Sequence, residues 1–216
     1  MTEHGKTPRI RYDEGCLAAH ALNVIGDRWA LLVVRELMLT PRRFQTIRSG
    51  LPGISAAVLT QRLSQLQQAG VVRHDAALGV YALTESGQGL LPVLQAMCRW
   101  GAMHPGHDPR RFISPTALMI SMTAMIDAAA AQGRHVRAGF ASGPDRFVLS
   151  LDGDGVLRAA AVREVDAGFT LAGSGNDLAR AVYGPVRLND LAAAGWIALS
   201  GDAAAAQDFV DLFRLR

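Results

Sequence analysis

Cysteine is scarce: Cys16 and Cys98 are the only two in 216 residues. Two widely separated cysteines make no disulfide framework, and neither sits in a Cys/His cluster with metal-ligand spacing. No metal and no cofactor is therefore expected. No apolar run approaches the ~20 residues of a membrane-spanning helix, so no membrane partner is expected. Residues Met1 to Asp13 are polar and lack the apolar core of a secretory signal. A reducing, cytoplasmic setting is the simplest expectation. The phosphate loop GxxxxGK[ST] is missing, and no Ser/His/Asp set has motif context. No catalytic residue is nominated, and the chain is not expected to be an enzyme. Charged residues make up 19%, too few for a disordered tail protein.

What is present is apolar material and a lopsided charge. Half of the residues are hydrophobic, enough for one or two packed cores. Residues 1–113 hold 13 basic and 8 acidic side chains; residues 114–216 hold 9 and 11. The basic half could neutralise phosphates, and the acidic half has no such bias.

The first half reads as a series of helices closed by a hairpin. Cys16 to Ile25 has apolar residues at helical spacing, and Gly26 breaks it. Asp27 suits the N-cap of a helix over 28–39, whose stripe is Trp29, Leu32, Val33 and Leu37. A short helix follows from Phe44 to Arg48, then a turn at Gly50–Gly53. Ser55 caps a longer helix to Ala69, with Leu59, Leu63 and Leu66 on one face. Residues 71–73 and 79–83 alternate as two short strands. One further helix is expected from Thr84-Glu85 to about Trp100.

This order is the plan of a winged helix-turn-helix, in which the second helix of the turn enters the major groove. A helical wheel puts Ala57, Gln61, Ser64 and Gln68 opposite the leucine face. The candidate base contacts are Ser55, Ala57, Thr60, Gln61 and Ser64, since amides and hydroxyls can read base edges. Arg42, Arg43, Arg48 and Arg73 flank that helix and are the candidate phosphate contacts. An ordinary amphipathic helix with a solubilising surface fits the same pattern.

Several motifs add a resemblance. Ile25-Gly26-Asp27-Arg28-Trp29, Leu31 to Leu37, Pro41-Arg42-Arg43-Phe44, Leu51 to Ser55, Val58 to Leu63 and Tyr81 to Gly87 occur in the order seen in HxlR-type winged-helix regulators, relatives of MarR. The stretch covers residues 15–101. The resemblance implies a DNA-binding transcription regulator: a homodimer held by the terminal helices on a roughly palindromic double-stranded operator. It also implies that Cys16 could sense oxidants or electrophiles, although a buried, inert thiol is the alternative. The chain departs from the family in a short wing loop, His74 to Leu78, without proline or basic residues. The recognition helix also begins Ser55-Ala56-Ala57, without a basic residue.

Beyond a segment rich in proline, His104 to Pro115, the pattern changes. An apolar, Met-rich helix is expected over 116–131. Strands are expected over 136–142, 146–152, 156–162, 169–172 and 196–199. Helices are expected over 176–182, 188–194 and 202–212. Phe169 to Ser174, Gly195 to Asp202 and Phe209 to Phe213 resemble the small sterol-carrier-type lipid-binding domain. That resemblance implies a sheet backed by helices around an apolar tunnel. Met119, Met122, Met125 and Ile126 are the candidate lining for a hydrophobic small molecule; core packing is the alternative.

The fold class expected is α+β. An arm, 1–14, precedes a winged helix-turn-helix, 15–103, a linker, 104–114, and a smaller sterol-carrier-like α+β domain of ligand-binding type, 115–216. The function expected is a ligand-responsive DNA-binding regulator. A redox or electrophile sensor using Cys16, and a lipid-handling enzyme, are the alternatives.

Overall fold

The computed structural model describes residues 12–213. Most of the expected arm, 1–11, lies outside the described residues. At residue 12 the chain is already pinned: Tyr12 N donates to Asn23 Oδ1 and Asn23 Nδ2 donates to Tyr12 O, both at 2.9 Å.

Five helices and a hairpin lead the chain: α1 (Leu17–Ile25), α2 (Ala30–Leu37), α3 (Phe44–Ser49), α4 (Ala56–Gln68), β1 (Val72–Asp75), β2 (Val80–Leu83) and α5 (Glu85–Gln88). Their core collects Val33, Val34, Leu37, Ile47, Leu51, Leu59, Leu63 and Leu66. Of the expected stripes, Val33, Leu37, Leu59, Leu63 and Leu66 are buried as the 3.6-residue periodicity predicts, while Trp29 and Leu32 are only half-buried. The single helix expected from residue 84 to 100 is instead two. Gly89 closes α5, and α6 (Leu91–Met103) restarts with Pro92 in its first turn. Proline has no N–H to donate and fits a first turn far better than a helix interior.

The second half is a five-stranded sheet with helices on one face. Its elements are α7 (Pro115–Met125), α8 (Ala128–Ala131), β3 (Gln132–Ser142), β4 (Asp145–Asp154), β5 (Arg158–Ala161), β6 (Phe169–Ala172), α9 (Gly175–Tyr183), α10 (Leu188–Ala193), β7 (Ala198–Gly201) and α11 (Ala203–Val210). The strand order is β5-β4-β3-β6-β7; β3 and β6 run parallel and the other neighbours antiparallel. Period-two alternation sends Ala138, Phe140, Phe147, Leu149, Leu151, Phe169 and Leu171 into one core. On the opposite face Gly139 leaves room for the loop after β5. A Cβ there would lie 2.4 Å from Val165 Cγ1.

The helix expected over 116–131 also breaks. Ile126 turns extended and pairs with Phe213, and Asp127 caps α8 by accepting from Ala130 N. The remaining piece, α7, is buried on every side at Thr116 to Ile120. It lies between the two cores: Leu118, Met119 and Met122 belong to the second, and Ile120 to the first. A helix apolar all round is what such a position requires.

The proline-rich segment is tied down at its end. Asn176 Nδ2 donates to Arg111 O at 2.8 Å, and Ile113 N donates back to Asn176 Oδ1 at 3.2 Å. Gly175 permits the approach, since a Cβ there would meet Ile113 O at 2.2 Å.

Candidate nucleic-acid interface

The recognition helix α4 is held from three directions. Ser55 Oγ caps it, accepting from Val58 N at 3.3 Å. Leu59, Leu63 and Leu66 are fully buried beneath it. Arg62 Nε reaches Asp27 Oδ1 at 2.8 Å, tying its middle to the entrance of α2. The outer face is free: Ser55, Ala57, Thr60, Gln61 and Ser64 are all exposed. The hydroxyls of Thr60 and Ser64 and the amide of Gln61 belong to exposed residues on a rigid element, the arrangement that groove readout needs.

The wing stands beside it. β1 and β2 pair from Val72↔Leu83 to Asp75↔Val80. Arg42 bridges the other edge of β2 through two backbone bonds with Tyr81, at 2.9 and 2.8 Å. Asp75 Oδ1 accepts from Leu78 N and closes the tight tip. His74 stacks on Tyr81 with centroids 4.4 Å apart.

Three of the four nominated arginines are solvent-accessible. Arg43 sits at the N-cap of α3 beside Gly79 of the wing tip, Arg48 in the last turn of α3 and Arg73 on β1. Arg42 is corrected. It is 6% exposed, and its guanidinium points away from solvent into the sheet domain. Nη1 and Nη2 donate to the Asp145 carboxylate at 3.1–3.2 Å, and Nη2 donates to Thr116 Oγ1 at 2.8 Å. It cannot reach a phosphate from there. No sequence pattern links positions 42 and 145, so the partner was not legible.

The methionine set is corrected as well. Met119 and Met122 are wholly buried among Phe140, Phe147, Phe169 and Phe209, and fill the space that a tunnel would need. Met125 and Ile126 are half-buried at its margin. A depression of about 360 Å³ lies elsewhere, between Pro185–Arg187 and the Gln207–Asp211 edge of α11.

Cys16 is exposed at the N-cap of α1. The backbone N–H of Ala19, then that of Ala18, hold its thiol below the ordinary cysteine value. Burial pushes the Cys98 thiol up. Among the described residues no group of three or more His, Cys, Asp or Glu is placed to hold a metal ion, and no single helix is long and apolar enough to cross a membrane.

Two helices leave apolar side chains uncovered. On α1, Leu17 is 86% and Leu22 50% exposed; on α6, Met97, Trp100 and Met103 are 47, 64 and 73% exposed.

The likeness to known regulators falls on the helix-turn-helix half. An uncharacterised HTH-type transcriptional regulator of Methanothermobacter thermautotrophicus is 34% identical over 98 residues, 43% of this chain and 75% of that protein. The crystal structure of quinone-bound YodB from Bacillus subtilis aligns at 34% identity and a TM-score of 0.38, over 40% of this chain and 97% of that one. An inverting sec-alkylsulfatase from Pseudomonas aligns with 93% of this chain and 30% of its own, at 18% identity and a TM-score of 0.44, too low to transfer an activity. The HxlR-like helix-turn-helix family matches residues 24–108. Through residues 24–108 and the regulators it resembles there, the chain belongs to the HxlR family of MarR-like helix-turn-helix transcription regulators.

Proposed function

We propose that this protein binds double-stranded DNA as a homodimer and regulates transcription from a roughly palindromic operator. One observation carries the reading: α4 buries a continuous leucine face and leaves Ala57, Thr60, Gln61 and Ser64, with the capping Ser55, exposed beside three unburied arginines. The α4 residues supply base contacts, Gln61 foremost, because a side-chain amide pairs two-fold with adenine. Arg43, Arg48 and Arg73 hold the flanking phosphates and set the register. A second protomer, joined through α1 and α6, places its own α4 one groove turn away, ~34 Å along the duplex.

Fluorescence anisotropy on the operator tests this. Gln61→Ala should cost about 1–3 kcal/mol on the preferred site and little on its base-substituted versions. Arg43→Ala should weaken all sequences alike and reduce the salt slope by about one. An unchanged slope would remove Arg43 from the phosphate contacts.

A second reading is favoured by the exposed, acid-shifted Cys16 and by the quinone carried in the YodB structure. In this reading Cys16 is an electrophile-responsive thiol that reports to α1 and hence to the dimer. The lowered pKa leaves more thiolate at a given pH, and the thiolate is the nucleophile. Cys16 should therefore alkylate faster than Cys98, with a rate profile centred below that of free cysteine. Equal labelling of the two, read by peptide mass spectrometry, would dismiss the sensor.

A further inference from the structure

We infer that the sheet domain positions the wing, and that Arg42 is the residue through which it does so. The inference rests on the DNA-binding reading above for its consequence, but not for its geometry. Arg42 belongs to two structures at once. Its backbone is a rung on the outer edge of the wing sheet, bonded in both directions to Tyr81. Its side chain is a buried cation held by Asp145 and Thr116 of the other domain. Asp145 opens β4 at the tip of the β3–β4 hairpin, and Thr116 lies in the first turn of α7. The next residue, Arg43, stands at the N-cap position of α3 and borders the wing tip. A shift of the hairpin is therefore delivered to the wing and to a phosphate-contacting arginine within one residue.

Two further ties prevent the domains from moving independently. Ser114 Oγ, the cap of α7, donates to the buried Glu36 of α2 at 2.7 Å, while Arg35 donates to the same oxygen. Gln95 Nε2 of α6 donates to Thr123 Oγ1 of α7 at 3.0 Å. Only the Arg42 tie touches the wing. A buried cation cannot stay buried without its partner, so loss of Asp145 must move the Arg42 side chain, and the backbone rung moves with it. Arg42 is thus a positioning residue: it contacts no DNA and sets where the wing stands.

The experiment uses the full chain with Asp145→Asn, Asp145→Glu and the milder Thr116→Val. Without DNA, hydrogen exchange should quicken at the wing amides, residues 72–83, in Asp145→Asn. It should quicken less in Thr116→Val, and Asp145→Glu should stay near the parent. On a duplex selected from random sequence by the parent protein, Asp145→Asn should lose affinity by about 5- to 150-fold, the range of ordinary inter-site coupling, at an unchanged salt slope. Wing exchange like the parent's in Asp145→Asn would overturn the inference. So would quickening spread evenly over both domains, which would mean simple loss of stability. A shallower slope would return Arg42 to the phosphate contacts. If the parent protein binds no duplex, the DNA-binding reading fails, while the exchange comparison still decides whether the sheet domain holds the wing.

Discussion

Phe209→Ala is expected to lower the stability of the sheet domain by about 3–5 kcal/mol, the range for truncating a buried aromatic. Phe209 is 1% exposed on the inner face of α11. Its ring lies 5.2 Å from Phe213, 5.8 Å from Phe169 and 6.4 Å from Phe140, all tilted or edge-on. Removing it takes away its own transfer energy, three aromatic neighbours and the packing that keeps α11 on β6. Met122→Ala in the same core should cost about 2–5 kcal/mol. Urea unfolding followed by far-ultraviolet circular dichroism measures both. Because α7 serves both cores, one transition is expected for the whole chain. A loss under ~1 kcal/mol at Phe209 would mean that the core has slack, and would restore the tunnel that the packed phenylalanines now exclude.

The outcome at the methionines shows where sequence reading stops. Periodicity tells which residues turn inward, and it placed Leu59, Leu63 and Leu66, the β3–β4 hairpin and the α9–α10 pair close to where they lie. It does not tell whether the inside is full. Met119 and Met122 share a helical face whether that face lines a cavity or a core. The distinction depends on Phe140, Phe147, Phe169 and Phe209, which arrive from four other elements. Helix breaks were half-visible. Pro92 was a local cause, but the end of α7 at Met125 depends on Ile126 pairing with Phe213, almost ninety residues away. Side-chain exposure around α4 followed the same division. The exposure of Ser55, Gln61 and Arg43 was legible because it follows from their own helix and its cap. Arg42 was not, because an arginine beside another arginine reads as a surface pair until Asp145 is placed opposite it.

Trp100→Glu is expected to turn a dimer into a monomer, and with it to remove most of the affinity for a two-fold operator. Helix α6 is unbalanced. Of its thirteen residues only Leu94 is buried, yet Val93, Met97, Trp100 and Met103 are large, apolar and exposed. Trp100 is the largest of these and is stiffened by His104, whose ring lies 4.8 Å away. On α1 only Ala19 is buried, while Leu17 and Leu22 are open. Pre-ordered aromatic side chains of this kind are the usual interface hot spots, each worth ≥ ~2 kcal/mol on truncation. Trp100→Ala should therefore raise the dimer dissociation constant about 30-fold or more, and Trp100→Glu further, because the carboxylate would be desolvated without a partner. The folded monomer should be little affected, since Trp100 is mostly in water there. Sedimentation equilibrium gives the dimer constant, and anisotropy on a full and a half operator gives the consequence. The full site should lose affinity and the half site should keep it, because one α4 still reads one half. A parent protein that is monomeric at micromolar concentration, or a Trp100→Glu variant that dimerises as the parent does, would show that α1 and α6 are not the joint. Equal losses on both sites would instead place Trp100 in the fold of the winged domain itself.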